Sequence, residues 1–237
     1  MTISHSRKFI FVHVRKTAGE SITEALTPYL ASTDLTIGTT FRGKVAARIH
    51  PKRTPFNKHT QARFLRSHLP QDVWTPYFKF AFVRNPVDRT QSFYRFLGNL
   101  LKKRGDKIFR SMILALSGSA SADPLRWPVT RAYLETSAFS EFIRHPAFNG
   151  KGQCESLCDA EGRIIVDFIG KYESLDADFA RVTERIGLGP ISLPRRNASR
   201  GSAPSDTLSP EDNAYLAEVF RRDFEIFGDE AARATCA

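Results

Sequence analysis

Two short stretches hold the residues best suited to chemistry. In the first, the apolar run Phe9-Ile-Phe-Val-His-Val14 ends in Arg15-Lys-Thr-Ala-Gly-Glu-Ser21, after which Ile22, Ala25 and Leu26 fall at helical spacing. The pattern predicts a buried strand, a tight turn and a helix start. Such a turn gathers backbone N–H groups at the positive end of a helix, where phosphate or sulfate binds. Lys16 adds a mobile cation, and Thr17 and Ser21 add short hydroxyl donors. The segment is a candidate anion site. It is not a Walker A loop, in which Gly comes first and Lys-Ser/Thr closes the motif; here Lys16-Thr17 precedes Gly19. An ordinary strand-to-helix turn carrying a solvated lysine is the alternative.

The second stretch, Phe78-Lys-Phe-Ala-Phe-Val-Arg-Asn-Pro-Val-Asp-Arg-Thr-Gln-Ser-Phe-Tyr94, repeats the arrangement. Alternating Phe78, Phe80 and Phe82, with Ala81 and Val83 also apolar, predict a largely buried strand. Arg84 stands at its end, Asn85 suits an N-cap, and Pro86 suits the first helical position. Asp88, Arg89 and Ser92 then fall along one helical side. Ligands of open α/β sheets bind beyond the carboxyl ends of the strands. Two basic strand ends thus predict one ligand with two separated anionic groups.

Lys16-Thr-Ala-Gly-Glu-Ser21 resembles the 5′-phosphosulfate loop of sulfotransferases that use 3′-phosphoadenosine 5′-phosphosulfate (PAPS). Val83-Arg-Asn-Pro-Val-Asp-Arg89 with Ser92 resembles their 3′-phosphate motif. The similarity is greatest to the branch with carbohydrate sulfotransferases of the heparan type and soluble bacterial relatives. It extends through Lys58-His-Thr-Gln-Ala62, Ile165-Val-Asp-Phe-Ile-Gly-Lys-Tyr-Glu173, Leu193-Pro-Arg-Arg-Asn197 and Asp223-Phe-Glu-Ile-Phe-Gly228. The resemblance implies a P-loop-like α/β fold, with a central parallel sheet flanked by helices on both faces. It also implies PAPS as cosubstrate, 3′-phosphoadenosine 5′-phosphate (PAP) as product, and no metal.

The resemblance assigns roles residue by residue. Lys16 would neutralise charge on the leaving phosphate oxygen. Arg15 and the backbone of Thr17, Ala18, Gly19, Glu20, Ser21 and Ile22, with the Thr17 and Ser21 hydroxyls, would line the 5′-phosphate site. Arg84 and Ser92 would clasp the 3′-phosphate, Arg being suited to bidentate phosphate binding. Arg196 and Arg200 lie in a segment similar to one that closes over the nucleotide. An acceptor hydroxyl must lose a proton, which calls for a general base. His59 is the first candidate and His68 the second, while His13 inside the first strand reads as a packed residue with satisfied ring nitrogens. Glu20 stands where relatives often have Thr; a carboxylate repels phosphate, so it should turn towards an acceptor, a cation or Arg15. Gln153 is a candidate acceptor contact. Asp167, Tyr172 and Glu173 match family positions, and packing and strand-end hydrogen bonds suffice to explain them.

The elements that must carry these residues follow from periodicity. The expected order is strand 8–14, helix 20–30, a basic irregular stretch 36–57, helix 58–68, strand 78–83 and helix 86–103. Helical material then continues to about 116, with a flexible connector over 117–124. A helix over 136–143, a strand over 164–169 and helices over 174–186 and 209–226 complete the order. Strands separated by helices imply a parallel sheet covered on both faces. The 237 residues suit one domain, 1–237, with 41% hydrophobic residues to build its core.

No run is long and apolar enough for a membrane span, and no signal peptide pattern opens the chain, so a cytoplasmic location without membrane insertion is expected. Three cysteines make no disulfide framework, and Cys154 with Cys158 lacks further ligands for a metal. The formal charge of +10 invites a nucleic-acid reading, but no helix-turn-helix or RNA-binding signature accompanies it. Transfer of a sulfuryl group to a hydroxyl or amine of a carbohydrate or other small acceptor is the leading expectation. A non-catalytic nucleotide- or polyanion-binding module and a P-loop kinase are the alternatives.

Overall fold

The computed structural model describes residues 1–37, 55–102, 127–194 and 208–227. In chain order the elements are β1 (Thr2–Ser4), β2 (Phe9–Val12), α1 (Gly19–Leu26), β3 (Leu35–Thr36), α2 (Ala62–His68), α3 (Gln71–Trp74), β4 (Phe78–Val83) and α4 (Pro86–Lys102). Then come α5 (Pro128–Leu134), α6 (Phe139–Arg144), α7 (Cys154–Leu157), β5 (Phe168–Lys171), α8 (Leu175–Arg185), α9 (Pro210–Val219) and α10 (Arg221–Phe227). Arg196 and Arg200, residues 38–54 of the basic stretch 36–57, the helical material expected from 103 to about 116 and the connector 117–124 lie outside the described residues.

The described residues group into two compact units, one within 1–85, 152–194 and 222–227, the other within 86–151 and 208–221. The first holds a five-stranded sheet of order β3-β1-β2-β4-β5. β2, β4 and β5 run parallel, with Val12 opposite Ala81 and Val83 opposite Lys171. β1 is antiparallel to both β2 and β3, so the sheet is mixed rather than wholly parallel as expected. Thr2-Ile-Ser4 is too short a run to register as a strand by periodicity; its pairing is secured instead by Asp34. That carboxylate accepts from the Ser4 and Ser6 hydroxyls and from the His5, Ser6 and Ala31 N–H groups.

Both faces of the parallel strands are buried, which explains their continuous apolar sequence. Phe9, Phe11, Phe80, Phe82 and Phe168 pack with Ile22 and Leu26 of α1 and with Phe179 and Val182 of α8. Alternate residues Ile10, Val12, Ala81 and Val83 pack with Ala62 and Leu65 of α2, Leu157 of α7 and Phe227 of α10. Helices therefore cover both faces, as expected.

Several expected boundaries move, four of them with an evident local cause. The helix expected from 58 opens at Ala62, because Asn57 and Thr60 close a turn in which Asn57 N–H donates to the Thr60 hydroxyl at 2.7 Å. The strand expected over 164–169 ladders only from Phe168; Ile164 makes a single antiparallel bridge to Cys158. The helix expected over 136–143 begins at Phe139, after an extended Ala138, and a separate helix starts with Pro128 at its first turn. The helix expected over 209–226 is two helices interrupted at Phe220.

The second unit has an aromatic core in which Tyr94 of α4 meets Tyr133, Phe139 and Phe142 at centroid distances of 4.8, 5.4 and 5.0 Å. Among the described residues no helix is long and apolar enough to cross a membrane.

Candidate active site

The parallel register of β2 and β4 brings the chain segments after both strands to one edge of the sheet. The loop after β2 is shaped by its own backbone. Lys16 (φ 68°) and Ala18 (φ 61°) adopt the left-handed conformation with Thr17 between them at negative φ. Non-glycine residues there are costly, and such strain concentrates at functional sites. Alternation of backbone hand turns successive N–H groups towards a common point, a concave anion-binding form. α1 opens directly afterwards at Gly19, its Ile22 N–H returning to the Ala18 carbonyl at 3.1 Å.

Gly19 is required by proximity. A Cβ there would lie 2.1 Å from Nε2 of His13, so the helix start rests on that imidazole. His13 is buried, as expected, but its ring nitrogens are not both satisfied: among the described residues Nδ1 has no hydrogen-bond partner. Burial holds its pKa well below the usual histidine range. The Thr17 hydroxyl, expected on the anion, is buried and donates instead to the Val14 carbonyl at 3.1 Å, bracing the loop. Ser21 is also buried. Glu20 turns to a cation, its Oε1 2.6 Å from Lys58 Nζ.

His59 sits in the turn before α2, fixed by Asn57, whose Oδ1 accepts the His59 backbone N–H at 2.8 Å. Its Nδ1 lies 3.0 Å from the His13 carbonyl, and its ring meets the His13 ring edge-on at 4.8 Å. A carbonyl only accepts, so in the neutral ring Nδ1 carries the hydrogen and Nε2 the lone pair. Burial, with Arg15 and Lys58 adding repulsion, pushes the His59 pKa down to about 3, against the opposing pull of the His13 carbonyl. His59 is therefore neutral at pH 7. His68 ends α2 on the surface, stacked on Phe64 at 3.8 Å with Nδ1 near the Phe64 carbonyl.

Arg84 leaves the end of β4 partly buried, its guanidinium carbon 4.1 Å from the centre of the Tyr172 ring. Among the described residues no carboxylate pairs with it, and its buried Nε has no hydrogen-bond partner. A cation supported by a neutral ring keeps its charge for a ligand, and an orphaned N–H in such a group fits an incoming anion. Arg84 and the loop at 15–22 thus offer donors suited to an anion. Ser92 lies on α4, in the second unit.

Gln153 is not an acceptor contact. It is fully buried, its Oε1 accepting the Arg84 N–H at 2.9 Å and its Nε2 donating to the Arg84 carbonyl at 2.8 Å. Asp223 stands behind it, accepting from the Gln153 and Cys154 N–H groups at 2.7 and 2.9 Å. Glu173 accepts the Asn85 N–H at 2.7 Å. Asp167 accepts the Lys79 N–H at 2.7 Å and pairs with the buried Lys79 ammonium at 3.0 Å, joining β4 to the lead-in of β5. Sequence reasoning missed the Gln153–Asp223 pair because the two residues are 70 positions apart; the only local trace was Asp223 at the head of the Asp-Phe-Glu-Ile-Phe segment.

The sequence pattern described as "Sulfotransferase family" matches residues 1–228. Carbohydrate sulfotransferase 14 of Homo sapiens is 28% identical over 181 residues, covering 69% of this chain and 46% of that protein. Carbohydrate sulfotransferase 11 of Mus musculus is 30% identical over 167 residues, covering 64% of this chain and 46% of that protein. The chain thus matches just under half the length of these curated relatives. No solved structure matches the chain.

Proposed function

The chain belongs to the sulfotransferase family, and from that premise we propose that it transfers the sulfuryl group of PAPS to a carbohydrate hydroxyl or amine, releasing PAP. The relatives named as carbohydrate sulfotransferases support a sugar acceptor. One observation carries the reading. The parallel pairing of β2 with β4 sets the left-handed loop at Lys16–Ala18 and Arg84, which no carboxylate pairs among the described residues, at neighbouring strand ends. Those ends match a nucleotide with phosphates at both its 5′ and 3′ positions.

Each residue then has a defined task. Amides at 17–21 hold the 5′-phosphate, the Ile22 N–H being spent on the Ala18 carbonyl, and Arg84 holds the 3′-phosphate. His59 Nε2 takes the acceptor proton as the acceptor oxygen bonds to sulfur. The sulfur–oxygen bond to the 5′-phosphate breaks, and its electron pair goes to the phosphate oxygen, where Lys16 neutralises the charge. In-line placement and a preorganised positive field supply most of the acceleration in group transfers of this kind. The Lys58 partner of Glu20 removes the carboxylate's repulsion beside the phosphate.

Thermal-shift titration with PAP, with ATP and Mg²⁺, and with heparin tests the reading. Selective stabilisation by PAP supports it. Stabilisation by heparin alone indicates a polyanion binder, and by ATP with Mg²⁺ a kinase; either overturns it.

A further inference from the structure

We infer that Gln153 and Tyr172 are the positioning residues that aim Arg84, and through it set the preference for a 3′-phosphorylated nucleotide. The inference rests on the proposed binding of PAPS, and it concerns residues that touch no part of the nucleotide in that scheme.

Arg84 is the first residue beyond β4, where the ladder no longer fixes its peptide. Gln153 replaces the ladder. Its carboxamide accepts from the Arg84 N–H and donates to the Arg84 carbonyl, the same two bonds a neighbouring strand would make. A buried amide makes such bonds in one orientation only if its other contacts agree. Asp223 enforces that orientation: its Oδ2 accepts from Gln153 Nε2 at 3.3 Å and from the Gln153 N–H at 2.7 Å. The next peptide is held by Glu173 through the Asn85 N–H.

With the backbone pinned, the side chain is directed by Tyr172. Its ring centre lies 4.1 Å from the guanidinium carbon, a contact that fixes the cation without consuming an N–H donor. A carboxylate in the same place would hold Arg84 as firmly but would spend the N–H groups and cancel the charge. The arrangement therefore orients without neutralising. Gln153 and Glu173 thus hold the two backbone peptides at Arg84, Tyr172 holds its guanidinium, and Asp223 braces Gln153 from behind.

Calorimetric titration of the full chain with PAP and with adenosine 5′-monophosphate reads the preference as a ratio of affinities. Gln153→Leu and Tyr172→Leu are each expected to lower that ratio about tenfold by misplacing a charge-assisted contact. Affinity for adenosine 5′-monophosphate stays within about twofold, because the loop at 15–22 is untouched. Tyr172→Phe, which keeps the ring face, restores the ratio. Where Gln153→Leu fails to fold, the half-exposed Tyr172 pair of variants decides. An unchanged ratio in Tyr172→Leu, or an equal loss for both nucleotides, overturns the inference. A wild-type chain that binds both nucleotides equally overturns the PAPS reading itself, whereas a wild-type preference lost in Arg84→Ala but kept in Gln153→Leu and Tyr172→Leu overturns only the positioning.

Discussion

His59 carries the sharpest chemical consequence at the scale of single residues. A histidine at its ordinary pKa would lose base function as pH falls through about 6.5. Burial beside Arg15 and Lys58 lowers the pKa to about 3, so the lone pair on Nε2 persists to lower pH. The acid limb of kcat/KM, which reports the free enzyme, is expected below about pH 5. The limb of kcat lies higher, because a bound anionic nucleotide stabilises imidazolium. An acid limb of kcat/KM at 6.5 would place the base elsewhere. His59→Ala should cost transfer about 10²–10⁴-fold while retaining PAP binding in calorimetry. Lys16→Ala should slow single-turnover transfer by about 10²–10³-fold, with a smaller loss of nucleotide affinity, since its charge is needed most as the leaving oxygen becomes negative.

At the scale of elements, the junction of β2 and α1 depends on one absent side chain. Gly19→Ala would drive a methyl group to 2.1 Å from His13 Nε2; the expected destabilisation is about 1–3 kcal/mol by urea denaturation. Adding His13→Ala should relieve part of that loss, a coupling that a double-mutant cycle measures directly. Additive losses would mean that the helix start does not rest on His13. The same junction shows what can be read from residues in order. Phe9–Val12 and Phe78–Val83 declare themselves as strands because both faces of each are buried, and Lys16 and Arg84 stand out by ending those runs. Glu20 was readable as turning towards an acceptor, a cation or Arg15, and the choice of Lys58, 38 residues away, was not. Long-range polar bonds have no local signature: nothing in Gly-Gln-Cys at 152–154 announces that Gln153 serves as a substitute strand for Arg84. Short elements escape for a related reason. Thr2–Ser4 and Cys154–Leu157 are each held by tertiary pairing or packing rather than by their own periodicity.

At the scale of the whole molecule, the fold must keep basic groups uncharged inside a chain that already carries a formal charge of +10. His13 and His59 lie ring to ring at 4.8 Å, and burial lowers the pKa of each. Unfolding returns both to ordinary values near 6.5, so below that pH the unfolded chain binds more protons than the folded one. The stability these rings contribute is fully present above about pH 6.5 and is lost as pH falls from there towards 3, the folded value for His59. Each ring that stays neutral in the fold steepens the decline by about 1.4 kcal/mol per pH unit in that interval. Urea denaturation at pH 7.5, 6 and 5, at one ionic strength, measures the slope. His59→Gln should lower it by about that amount relative to the parent chain, because a group that cannot titrate is removed from the balance. Paired carboxylates such as Asp34 are unaltered by that substitution, so their own acid dependence cancels in the comparison. Equal slopes in the two proteins would mean that His59 is protonated as readily in the fold as outside it, and the neutral base assigned to the reaction would be lost with it.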